Sequence, residues 1–61
     1  MPLFNVSLIE RDPLNKETGR FETTTILASD SERAKVKAIL ASALAQGLTR
    51  DCELQVEVRP F

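Results

Sequence analysis

The chain has 61 residues, with 8 Lys and Arg against 9 Asp and Glu, three Phe, one Cys and no His, Trp or Tyr. A length below the usual range of about 100 to 200 residues per domain allows one domain, and a domain this small buries only about 60% of the surface its unfolded chain exposes. A single Cys excludes an intrachain disulfide, the lack of His argues against zinc, and a net charge of −1 with both signs interspersed supplies no basic field for a nonspecific nucleic-acid binder.

The first predicted element is a strand over 3–11. Phe4, Val6 and Leu8 alternate with Asn5 and Ser7, with Leu3 and Ile9 at the two ends of the polar side. The stretch 12–19, Asp12-Pro13-Leu14-Asn15-Lys16-Glu17-Thr18-Gly19, concentrates turn formers and reads as a hairpin loop. A second strand over 20–28 follows from Phe21, three consecutive Thr at 23–25, Ile26 and Leu27, a β-branched and aromatic composition. Its pattern leaves the face open: Phe21 and Leu27 share one side, Ile26 and Ala28 the other.

A helix is predicted over 30–46. Ser29 and Glu32 are spaced as a reciprocal capping box, and Asp30 and Glu32 place negative charge at the positive end of the helix dipole. Gly47 is the expected stop, in the left-handed conformation that only Gly adopts cheaply. At about 100° per residue, Val36, Ile39, Leu40, Ala43 and Leu44 form the stripe expected to lie on the sheet. Ala34, Ala38, Ala41 and Ala45 form a second stripe of small residues on the other side.

After the linker Leu48-Thr49-Arg50-Asp51, a third strand over 52–59 alternates Cys52, Leu54, Val56 and Val58 with Glu53, Gln55, Glu57 and Arg59 before Pro60 ends it. The expected fold is therefore a single α+β domain of order β-β-α-β. Its three-stranded sheet has strand order 2-1-3, with 1-2-3 as the runner-up, and one helix packs on one face. A right-handed crossover through the helix makes the third strand parallel to the second.

Few residues carry chemistry. Cys52 is the only soft nucleophile, has no His to activate it, and shares the apolar register of the third strand, so a core role is expected. Met1-Pro2-Leu3-Phe4-Asn5-Val6 resembles the start of small oligomeric tautomerases, which carry a catalytic proline on a first strand. The resemblance is confined to those residues, because in that family the long helix follows the first strand directly. It implies that Pro2, once Met1 is removed, would present an amine acting as base or nucleophile. Glu53 and Glu57 lie about 13 Å apart by strand rise, too far to share a ligand. Asp12, Asn15 and Glu17 lack the spacing of a calcium loop. Arg33, Lys35 and Lys37 form a basic cluster that Asp30 and Glu32 offset.

The sheet face away from the helix is expected to carry Asn5, Ser7, Glu22, Thr24, Glu53, Gln55, Glu57 and Arg59. Without an aromatic residue there, base stacking is disfavoured. No catalytic, cofactor or metal residue is therefore expected. The functional expectation is a small non-catalytic protein-interaction or regulatory module, homodimeric or docked to a larger host protein. Its candidate interface comprises Ala34, Ala38, Ala41, Ala45, Leu48, Glu53, Gln55, Glu57 and Arg59. Dimerisation through the alanine stripe and sheet extension through the second or third strand are both open. The alternatives are a tautomerase-like enzyme using the Pro2 amine, and a nucleic-acid accessory protein acting through Arg33, Lys35, Lys37 and Arg50. A start lacking a basic n-region and the absence of an apolar run of about 18 residues predict a cytoplasmic protein with no membrane span.

Overall fold

The computed structural model describes residues 1–48 and 51–61. Strand β1 spans Leu3–Arg11, β2 Glu17–Leu27 and β3 Glu53–Pro60; helices α1, Ser31–Ala41, and α2, Ala43–Gln46, connect β2 to β3. The sheet has the order β2-β1-β3. Both ladders are antiparallel, Val6 standing opposite Thr24 on one side and Val58 on the other. The expected parallel relation of the third strand to the second is therefore one of direction alone and not of pairing, and the sheet is antiparallel throughout. No parallel ladder forms, because β1 lies between β2 and β3 and pairs antiparallel with each.

The hairpin is tighter than expected. Asp12 Oδ1 accepts from the amides of Leu14 (2.9 Å) and Lys16 (3.0 Å), and Asn15 takes the left-handed φ of 63° that lets the chain reverse. The loop therefore closes by Lys16, and β2 begins at Glu17 instead of at residue 20. Between Ile9↔Phe21 and Arg11↔Glu17 the register shifts, with three residues of β2 opposite Glu10 alone. Gly19, at φ 92°, absorbs this bulge.

The helix departs furthest from expectation. Asp30, and not Ser29, is the N-cap; its carboxylate accepts from the Arg33 amide at 2.8 Å. A continuous helix over 30–46 does not form. The chain leaves helical geometry at Ser42 (ψ 124°), which then caps α2 by accepting from the Ala45 amide at 3.0 Å. Gly47 ends α2 at φ −97°, so the left-handed stop is also corrected. Its lack of a side chain matters for space, since a Cβ there would meet the Ala43 carbonyl oxygen at 3.2 Å and the Arg20 guanidinium at 3.4 Å.

The buried face of α1 is the opposite of the one expected. Ala34 and Ala38 are 0% and 2% exposed, whereas Val36 and Leu40 are 55% and 73% exposed and Ile39 is also at the surface. Among the described residues the buried apolar core is Val6, Leu8, Ala28, Ala34, Ala38 and Leu44, with Phe4, Ile26, Leu54, Val56 and Val58 packed around it. The physical reason is volume. The sheet's own face is filled with large branched side chains, so a helix at close-packed distance must present small ones. The break at Ser42 rotates the chain so that Leu44, alone among the five residues of the expected stripe, is buried.

Candidate interaction surfaces

Two groups of side chains could carry function: a polar cluster at one end of the helix-covered face, and the surfaces the helices leave open. The cluster is built by the bulge. Glu10, 3% exposed at the end of β1, accepts from the Thr18 hydroxyl at 2.7 Å and pairs with the half-exposed Arg20 at 3.2 Å. Arg20 also donates to the Gly47 carbonyl at 3.4 Å, tying β2 to the end of α2. One step along β2, Glu22 Oε2 accepts from the buried Ser42 hydroxyl at 2.9 Å and its Oε1 from the Leu44 amide at 2.7 Å. Glu22 therefore supplies the acceptors that the start of α2 requires, and its engagement accompanies the break at Ser42. Each carboxylate oxygen of Glu10 and Glu22 has a donor from within the chain, and no buried side-chain N or O among the described residues lacks a partner. The cluster fastens helix to sheet; its acceptors are already occupied.

The open face of the sheet follows from strand parity. Leu3, Asn5, Ser7, Ile9 and Arg11 of β1 stand between Leu27, Thr25, Thr23, Phe21 and Glu17 of β2 on one side and Arg59, Glu57, Gln55 and Glu53 of β3 on the other. Glu22 and Thr24, expected here, lie on the covered face, and Phe21 takes a place on the open face at 70% exposure. The open face therefore does carry an aromatic side chain, contrary to expectation. The middle of the face is polar and internally bonded, with Thr25 donating to Asn5 at 3.1 Å and the Ser7 and Thr23 hydroxyls 3.4 Å apart. Arg11 donates to Gln55, and Gln55 in turn to Glu57 at 3.2 Å. Apolar residues occupy the two ends: Ile9 with Phe21, and Leu3 with Leu27.

The expected interface residues separate into two groups. Glu53, Gln55, Glu57 and Arg59 do share the open face on β3. The alanine stripe does not form a surface: Ala34 and Ala38 are consumed by the chain's own core, Ala45 and Leu48 are half-buried, and Ala41 is exposed. Phe21, Leu27, Val36 and Leu40 are among the exposed apolar residues that sequence reasoning did not assign to an interface. The shared parity of Phe21 and Leu27 was the available signal for the first two.

The remaining candidates are dispersed. Pro2 is exposed, and its carbonyl accepts from the Ala28 amide at 3.1 Å. Cys52 is half-buried immediately before β3. Lys35 pairs with Glu32 at 3.1 Å and Lys37 donates to the Leu27 carbonyl at 2.8 Å, so these cations point to different neighbours. Arg50, named in the nucleic-acid reading, lies outside the described residues, as does Thr49 of the linker. Among the described residues no group of three or more His, Cys, Asp or Glu could hold a metal ion, and no helix is long and apolar enough to cross a membrane. No protein-family model matches this chain, and neither a curated protein nor a solved structure matches it.

Proposed function

We propose that this chain is a small non-catalytic protein-interaction module that acts as a homodimer. The observation that carries the reading is the distribution of apolar side chains: Phe21, Leu27, Val36 and Leu40 are exposed, while half of the buried core residues among the described ones are alanines. A core of that size supplies little stability in a chain this short, and covering part of this exposed apolar surface with a second copy adds to it. The engaged carboxylates of Glu10 and Glu22 support a structural role for these two side chains. A composition without His, Tyr or Trp supports a non-catalytic assignment.

Sedimentation equilibrium over a micromolar concentration series tests the dimer. The expected result is a species of twice the 6.8 kDa chain mass that dissociates on dilution. A single 6.8 kDa species throughout overturns the reading.

A further inference from the structure

The two edges of the sheet leave different groups unpaired. The amide of Ala28 bonds to the Pro2 carbonyl and the amide of Phe61 to the Leu3 carbonyl, each at 3.1 Å. In an antiparallel ladder, hydrogen-bonded positions alternate. These two bonds therefore set the phase: even-numbered residues of β1 bond to β2 and odd-numbered ones to β3. The outward N–H and C=O groups then belong to Leu54, Val56, Val58 and Pro60 on the β3 edge, and to Phe21, Thr23, Thr25 and Leu27 on the β2 edge.

Pro60 has no N–H to offer an incoming strand, which blunts one end of the β3 edge. The β2 edge from Phe21 to Leu27 contains neither Pro nor Lys nor Gly. It is also self-complementary. When Phe21-Glu22-Thr23-Thr24-Thr25-Ile26-Leu27 is laid antiparallel on a copy of itself about Thr24, the outward groups meet in register. Phe21 then falls opposite the second copy's Leu27 on the open face, twice over, and Thr23 falls opposite Thr25. Aromatic–aliphatic and Thr–Thr pairs are favourable cross-strand neighbours, and no like charges stand directly opposite each other in this register. Lys37 already donates to the Leu27 carbonyl, but a carbonyl oxygen has two lone pairs and can accept an amide as well.

Resting on the homodimer reading above, we propose that two copies associate through two-fold antiparallel pairing of their β2 edges centred on Thr24, giving one continuous six-stranded sheet. The occupant of the edge is a second copy, because this register matches both exposed apolar residues of the strand with each other.

Disulfide trapping tests the register. In a Cys52→Ala background, Thr24→Cys places a thiol at the two-fold axis, opposite its own copy in a non-hydrogen-bonded pair, where side chains approach closest. Mild oxidation is expected to shift the larger part of this variant from the mass of one chain to that of two on a non-reducing gel. Leu40→Cys, on the outer side of α1, is expected to remain largely single. As a second variant, Thr23→Pro removes an outward N–H that β1 does not use. It is expected to retain the native circular dichroism spectrum and to weaken dimerisation at least tenfold. A dimer that traps through Leu40→Cys and not through Thr24→Cys, or that survives Thr23→Pro unchanged, overturns the edge pairing and leaves the homodimer intact. A protein monomeric throughout overturns both.

Discussion

The two sides of α1 invert the usual relation between side-chain size and burial. Ala34 and Ala38 face the sheet and are nearly inaccessible, while Val36 and Leu40, far more apolar by area, face away from it. The difference teaches that burial here is decided by the space left above the sheet. Val6 and Leu8 of β1, flanked by Ile26, Val56 and Val58, already fill the layer, and the helix closes it with methyl groups. A larger residue on the inner side would lift the helix; a larger residue on the outer side meets only solvent or a partner.

Substitution on the inner side should break the comparison most strongly. Ala38→Leu forces extra methylenes into a filled layer and is expected to destabilise the fold by about 3 kcal/mol, read as a lowered urea midpoint. An unchanged midpoint would mean that the helix is free to rise and that space does not decide the orientation. A smaller effect is expected from Glu22→Ala. It strips acceptors from the buried Ser42 hydroxyl and from the Leu44 amide, at a cost of about 2 kcal/mol. Because the lesion centres on α2, hydrogen exchange should report faster exchange at Leu44 and Ala45 than in the strands. Uniform acceleration would show that the break at Ser42 is not held by Glu22. The smallest effect belongs to the outer side: Leu40→Gln should change the stability of the dilute chain by under about 0.5 kcal/mol. A loss as large as that of Ala38→Leu would place Leu40 in a core or interface that the monomer does not show.

The sheet was the more legible half of this protein. The period-two alternation of β1 and β3 gave strands within a residue of those observed, and of the two sheet orders left open the structure has the preferred one, β2-β1-β3. The helix phase was not legible, because an apolar stripe records which residues can be buried and not how large a gap awaits them. Val36, Ile39 and Leu40 were the better candidates by hydrophobicity and lost on volume. The face of β2 was misread in part because a charged residue defaults outward. Glu22 turns inward to serve Ser42 and the start of α2, and that carries Phe21 to the open face. Of the candidate interface, the β3 residues kept their shared face and the alanine stripe did not, for the same reason of volume.

The sequence by itself determined the element types, their order along the chain and the exclusion of an intrachain disulfide. Those depend on local periodicity, turn residues and composition, which the chain carries residue by residue. Only the tertiary structure decided which side of α1 is buried, where the helix breaks and which residues of β2 lie along the open face. Each of these depends on the room and the hydrogen-bond acceptors that one element leaves for another, and neither quantity exists until the layers meet.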